Sequence, residues 1–207
     1  MTLVVKSDSY VRDQIAVANM LRDRKRVFVD LLKWKLAVVD DEYEIDQFDH
    51  AGAVYLICSD ADGNHRGSLR LLPTTAPHIL GSLFPDLCDG PVPTGPNVYE
   101  LTRGCFSPRI SAAERRMVRN QLATAAVEFA LCSGIDTFTC IASGALYSQI
   151  LALGWMCEPL GLPRPIDRIL AGALRIAVTR ETPRLLVEAG TYVRSPLEMA
   201  APASLAA

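Results

Sequence analysis

Several features are scarce in this chain of 207 residues, and each scarcity closes off a class of function. No apolar run reaches the roughly 18 residues that would span a bilayer. The opening Met-Thr-Leu-Val-Val-Lys-Ser-Asp also lacks the charged head and apolar body of a secretory signal. A cytoplasmic protein without a membrane partner is therefore expected. Basic residues are not in excess: 21 Lys and Arg stand against 23 Asp and Glu, for a net charge of −2, which argues against a nucleic-acid partner. The six cysteines (Cys58, Cys88, Cys105, Cys132, Cys140, Cys157) form no close pair, and in a reducing compartment they read as small buried hydrophobes. His50, His65 and His78 have no ligand spacing, so no metal is expected. The acids from Asp40 to Asp49 carry enough charge for Ca²⁺. They lack the glycine and the terminal glutamate of an EF-hand loop, which weakens a reading as a cation-binding protein.

What is present is an ordinary globular composition, 50% apolar and 21% charged, on a chain long enough for one substantial core. With no repeat and no linker, one domain is expected over residues 1–195, followed by an Ala/Pro-rich flexible tail over 196–207. A strand over residues 3–6 precedes a helical pattern from Tyr10 to Leu32, with Ile15, Ala18, Leu21, Phe28 and Leu32 on one side. Residues 35–50 show no period and read as an ordered loop or lid. Two strands, 53–59 and 66–72, flank the turn Asp60-Ala-Asp-Gly63. A short helix over 79–84, a proline-rich loop and a strand over 98–106 follow. Ser111 with Glu114 forms a capping box for a long helix that Gly134 stops. A strand over 136–142, a helix over 144–153, a strand after Gly154-Trp155, a strand over 173–179 and a helix over 183–189 complete the pattern. The order indicates α/β, with a mixed sheet covered by helices.

The densest chemistry lies between Glu42 and Asp49, where four carboxylates and two aromatics fall within eight residues. Arg24, Phe28 and Trp34 lie upstream of it, and Arg70, Glu100 and Arg103 lie on later strands. Acids, arginines and aromatics recurring in this way suggest a built site. Five motifs stand in register: Arg24-x-x-Val-Phe28, Leu32-x-Trp34, Glu44-x-Asp46-x-Phe-Asp49, Gly-Ser-x-Arg70-Leu-x-Pro-Thr and Glu100-x-Thr-Arg103. With them the chain resembles the acyl-homoserine-lactone synthases, closely over residues 10–106 and more loosely to about 180. The resemblance implies a GNAT-like three-layer αβα sandwich whose mixed, mostly antiparallel sheet has a central cleft. It implies transfer of a fatty acyl group from a thioester, on acyl carrier protein or coenzyme A, to S-adenosylmethionine. It marks Arg24, Phe28, Trp34, Asp46, Asp49, Arg70, Glu100 and Arg103 as the corresponding positions. S-adenosylmethionine is then a substrate, and no cofactor is implied.

The residue types suit that reaction. An α-amine titrates near about 8, so a carboxylate base must free it for attack. Glu100 or Asp46 can serve, and Glu100 is preferred because a strand positions a base better than a loop. Phe28 and Trp34 suit a sulfonium cation, Asp46 and Asp49 suit ammonium or ribose groups, and Arg24 or Arg70 can hold the lid carboxylates. Three residues separate Arg103 from Glu100, so in a regular strand it faces the other side; it reads as a structural pin or a carrier contact. Backbone N–H groups at an irregularity in the strand 98–106 are the expected oxyanion donors. Met117, Leu122, Thr139, Cys140 and Leu146 are candidates for an acyl pocket, and plain core packing is the other reading. No basic residue lies on the helix before Gly154-Trp155; the basic cluster is Arg109, Arg115, Arg116 and Arg119. With the helix dipole, it suits an acidic carrier, its phosphopantetheine, or coenzyme A. A general N-acetyltransferase is the rival, but it would carry an Arg-x-x-Gly-x-Gly/Ala phosphate loop where this chain has Ser107-Pro-Arg-Ile-Ser-Ala-Ala-Glu. Glu100→Gln and Arg24→Ala are each expected to abolish product and leave the protein folded.

Overall fold

The computed structural model describes residues 2–6, 15–50, 52–167, 169–194 and 196–199. Its elements are β1 (Thr2–Lys6), α1 (Ile15–Arg24), β2 (Val38–Val39), β3 (Tyr43–Glu44), β4 (Val54–Ser59), β5 (His65–Pro73), α2 (Ile79–Leu83) and β6 (Val98–Phe106). They continue with α3 (Ala112–Ser133), β7 (Thr137–Ser143), α4 (Gly144–Leu151), β8 (Met156–Pro159), β9 (Arg164–Ile166), β10 (Ile169–Ala177), α5 (Thr182–Glu188) and β11 (Leu197–Met199). Nine strands form one sheet in the order β11-β1-β4-β5-β6-β7-β10-β8, with β9 on β10, and β2 and β3 form a separate hairpin. The β1/β4, β7/β10, β8/β10 and β9/β10 ladders are antiparallel; β1/β11 and β6/β7 are parallel. The expected α/β class with a mixed, mostly antiparallel sheet is what forms.

The chain divides into two compact units. The first takes the described residues of 1–70, 103–125 and 194–207; the second takes 71–102 and 126–193. Three of the four boundaries fall inside β5, β6 and α3, so no linker composition marks them. In the first unit, α1 packs on β4 and on the β2/β3 hairpin. There α3 approaches β5 so closely that a Cβ on Gly67 would lie 2.5 Å from Val118 Cγ1. In the second unit, neighbouring residues of β10 face opposite ways. Gly172 faces Tyr147 of α4, while Ala173 packs with Leu80 and Leu87. That unit is therefore covered on both faces.

Local sequence explains most boundaries. Ser111 and Glu114 make the expected capping box, the Glu114 carboxylate accepting the Ser111 N–H and hydroxyl, each at 2.9 Å. Gly134, at φ +72°, stops α3. Three features add detail to the reading above. The first helix widens into a π-helical stretch over Lys25–Leu31, with Leu32 N–H donating to Val27 O, and Lys33 at φ +58° ends it. Ile15 and Leu32 are exposed, so the apolar face is Ala18, Leu21 and Phe28; the expected start from Tyr10 to Gln14 lies outside the described residues. The segment expected as an ordered loop or lid holds a hairpin whose turn, Asp40-Asp41, has both residues near φ +53°, with Glu42 N–H bonded to Val39 O. Short acidic side chains tolerate that left-handed conformation, so no glycine announces the turn. Within the stretch expected as a tail, Leu197–Met199 pairs with β1; residues 200–207 lie outside the described residues.

Candidate active site

The widened end of α1 carries Arg24 and Phe28 inward, both almost fully buried. Arg24 grips Asp49 through two N–H···O bonds of 2.9 Å and reaches Glu44 at 2.6 Å. Arg70, from the middle of β5, bonds Asp46 at 2.7 Å and lies 2.8 Å from Asp49. Arg103 closes the ring with Glu44 at 3.2 Å and with Asp46. Tyr55 of β4 donates its hydroxyl to Asp49 at 2.8 Å. Three guanidiniums thus interleave with three carboxylates, and the group is neutral as a whole. Each member supports two others, so the cost of fixing one side chain is shared among several bonds. Burial by itself would push the Asp49 carboxyl up; the charge and hydrogen bonds of Arg24, with Arg70 and the Asp46 N–H behind them, hold it far below the usual carboxylate range. Burial likewise opposes charge on Arg24, and Asp49 and Glu44 reverse it and raise its pKa.

An aromatic wall adjoins this cluster. Phe28 and Trp34 stack with ring centroids 5.1 Å apart and planes within 10°, the Arg103 guanidinium lying 5.6 Å from the Phe28 centroid. Phe28 is buried, whereas Trp34 keeps 38% of its surface exposed. Trp34 is therefore the solvent-reachable member of the stack. The π-helical widening makes the stack possible, since the Trp34 N–H folds back onto the Phe28 carbonyl at 2.9 Å.

The geometry orders the sequence candidates. Arg24, Phe28, Trp34, Asp46, Asp49, Arg70 and Arg103 converge in the first unit. Arg103 sits at φ +49°, a backbone irregularity that breaks the alternation of β6. Expected as a structural pin or a carrier contact, it bonds Glu44 and Asp46. Asp46, expected as the alternative base or as a holder of ammonium or ribose groups, has oxygens that accept from Arg70, Arg103 and the Phe48 N–H. Glu44 was quoted within a motif and given no role, yet it is wholly buried between Arg24 and Arg103. Tyr55 was missed. The one available signal was a lone hydroxyl in the apolar run Ala53–Cys58.

In the second unit, Glu100 is wholly buried, and its carboxylate accepts the Leu80 N–H at 3.0 Å. The parallel β6/β7 ladder sets Glu100 beside Thr139 and ends at Leu101 and Cys140, although both strands run on. Thr139 is also wholly buried, and its hydroxyl has no hydrogen-bond partner among the described residues. The residues expected to line an acyl pocket are placed differently from one another. Cys140 follows Thr139 in a regular ladder and faces the other side, so one wall takes only one of them. Met117 and Leu146 are exposed, while Leu122 is buried.

The basic cluster is likewise less uniform than its sequence suggests. Arg115 and Arg116 are exposed, Arg119 donates to Asn120 at 2.9 Å, and Arg109 is bound to Asp23 at 3.0 Å. Burial and the like charge of Arg116 lower the Arg119 pKa. The N-terminus of α3, expected to attract phosphate, already holds the Glu114 carboxylate.

A mixed sheet of this order, with helices on it, defines an N-acyltransferase type of fold. An acyl-CoA N-acyltransferase from Pseudomonas aeruginosa shares it at 17% identity and a TM-score of 0.55, over 84% of this chain and 98% of that one. Closer relatives narrow the class. The family model for the autoinducer synthases matches residues 8–186, and the chain belongs to that family. An acyl-homoserine-lactone synthase of Rhizobium etli is 33% identical over 176 residues, 83% of this chain and 82% of that protein. Among solved structures, the CoA-dependent acyl-homoserine lactone synthase BjaI, with SAM and isopentyl-CoA, is similar at 26% identity. Its TM-score is 0.83, over 98% of this chain and 94% of that one. Among the described residues, no helix is long and apolar enough to cross a membrane.

Proposed function

We propose that this chain makes an N-acyl-L-homoserine lactone from S-adenosylmethionine and an acyl thioester, releasing methylthioadenosine. The observation that carries the reading is the convergence of Arg24, Glu44, Asp46, Asp49, Arg70 and Arg103 beside the Phe28–Trp34 stack. All lie within the segment that matches the family. The exposed face of Trp34 suits the adenosyl sulfonium, a contact worth about 0.5–2 kcal/mol. S-adenosylmethionine enters as a substrate, since its methionyl carbons leave in the product.

In the first step, the neutral α-amine attacks the thioester carbonyl, the C–S bond breaks, and the amine proton passes to a base as the thiol leaves. Glu100 is that base. Its carboxylate is aimed by the Leu80 N–H, whereas the oxygens of Asp46 are taken up by guanidiniums. The irregular backbone at Arg103 supports the reading that N–H groups of β6 meet the tetrahedral oxyanion. In the second step, the methionyl carboxylate attacks its own γ-carbon and expels methylthioadenosine. The sulfonium is already a good leaving group, so the enzyme mainly holds the ring-forming shape, and such alignment is worth about 7–11 kcal/mol.

The donor is a thioester carried on a phosphopantetheine arm. The arginines around the start of α3 support a carrier protein, whose surface is acidic, and coenzyme A presents the same arm. The test is mass spectrometry of purified enzyme given S-adenosylmethionine with hexanoyl carrier protein or hexanoyl-CoA. A homoserine-lactone fragment and methylthioadenosine are expected with one donor; neither product with either donor refutes the reading. Glu100→Gln should cut turnover by roughly 10²–10⁴-fold, the range for a positioned base, without loss of the folded signal. Undiminished turnover in this variant would remove Glu100 as the base.

A further inference from the structure

Outside the cluster already described, the first unit contains a second buried carboxylate with an unusual set of partners. Asp23, one residue before Arg24 on α1, is wholly buried. Its Oδ1 accepts from Arg26 Nη1 at 3.0 Å, and its Oδ2 accepts from Arg109 Nη2 at 3.0 Å and lies 2.9 Å from His65 Nδ1. His65 is itself buried and fixes the carboxylate from behind. The two arginines differ from those of the first cluster, since Arg26 and Arg109 keep 48% and 51% of their side chains exposed. They come from distant parts of the sequence and meet on one carboxylate. Each spends one guanidinium nitrogen on Asp23, leaving its other N–H groups without an acceptor among the described residues.

A carboxylate withdrawn from water costs several kcal/mol and gives little net stability, even when paired. What this one achieves is geometric: two half-exposed guanidiniums are held on one buried carboxylate, Arg26 on one oxygen and Arg109 on the other. Guanidiniums held on one anchor suit the oxygens of a phosphate, which they bind in pairs of parallel hydrogen bonds. Of the three acids that line a cavity with Arg26, Glu42 pairs with Arg22 and Asp30 with Lys25, and Asp41 is the third. At the N-terminus of α3 the Glu114 carboxylate sits on the Ser111 N–H and hydroxyl, so a phosphate there would meet a like charge.

We propose that Asp23 is a positioning residue for the acyl donor, holding Arg26 and Arg109 as the receptor for the phosphate of the phosphopantetheine arm. The proposal rests on the reading above that the donor carries such an arm.

Steady-state kinetics test it, with S-adenosylmethionine and hexanoyl carrier protein or hexanoyl-CoA varied in turn. Asp23→Asn keeps the shape of the side chain and removes its charge. If Asp23 acts by position, the KM for the donor rises by roughly 10- to 150-fold, the size of one lost charge-assisted hydrogen bond. The KM for S-adenosylmethionine and the kcat stay near wild type. If only charge mattered, loss of a negative group would lower the donor KM, so a lowered or unchanged value overturns the proposal.

Should Asp23→Asn not fold, Arg26→Lys and Arg109→Lys put the same question at exposed positions. Lysine keeps the charge and loses the fork, so the donor KM should rise nearly as far as in Arg109→Ala; a wild-type value overturns the proposal. A rise confined to Arg115→Ala and Arg116→Ala would leave the donor-arm reading standing and defeat this one. No change in any of these arginine variants would defeat both. The donor that is turned over tells carrier protein from coenzyme A.

Discussion

Arg24 shows how much the surroundings of a residue change what its substitution means. As a ligand contact it could be removed without harm to the fold, which is how the motif alone reads. Buried against Glu44 and Asp49, it cannot be, because truncation leaves two carboxylates without water or a full partner. Arg24→Ala is expected to lose about 3–5 kcal/mol of stability, measured by urea unfolding. A loss under about 1 kcal/mol would mean the carboxylates find other partners. The buried acids also set a pH dependence. Burial pushes the Asp23 carboxyl up, but hydrogen bonds from His65, Ser107 and Arg26 bring it down to about 2, from an ordinary 3.8. A pKa lowered on folding stabilises the native state at pH above the unfolded value, and the contribution fades as pH falls through the folded one. Asp49 is lowered for the same kind of reason and acts with the same sign. The melting temperature should therefore drop between about pH 4 and pH 2. A flat profile there would contradict the buried pairing of both acids.

At the scale of elements, the long helix and the strand beneath it illustrate what pattern can and cannot reveal. The limits of β6 and the cap and stop of α3 were legible, because capping boxes and glycine stops are local chemistry. The β2/β3 hairpin, the π-helical stretch and β11 were not. A turn made by two aspartates carries no glycine signal, and a widened helix keeps a helical composition. A three-residue strand gains its identity from the neighbour it pairs with. The close approach of α3 to β5 is also invisible in sequence, although it explains a motif glycine. A Cβ on Gly67 would lie 2.5 Å from Val118 Cγ1 and 3.3 Å from the Cys105 carbonyl. Gly67→Ala is expected to cost about 1–3 kcal/mol through overpacking, seen as a lower urea midpoint at unchanged m-value. A neutral result would show that α3 shifts freely.

For the whole molecule, ligand linkage gives the broadest test. A substrate that binds only the native state stabilises it by about 2.7 kcal/mol at a hundredfold excess over Kd. S-adenosylmethionine should therefore raise the melting temperature of wild type, and less so in Trp34→Ala, which removes the exposed face of the stack. No shift in wild type would count against the first unit as the nucleoside site. No change of composition marks the two units, because their boundaries run inside β5, β6 and α3. The sequence by itself determined the class of the sheet, the family, and the inventory of arginines, acids and aromatics, since these depend on residue type and spacing along the chain. Only the tertiary structure decided which carboxylate meets which guanidinium, because partners such as Glu44 and Arg103, or Asp23 and Arg109, stand far apart in sequence. Charge is written residue by residue, but a pairing and a desolvation belong to neighbours that folding brings together.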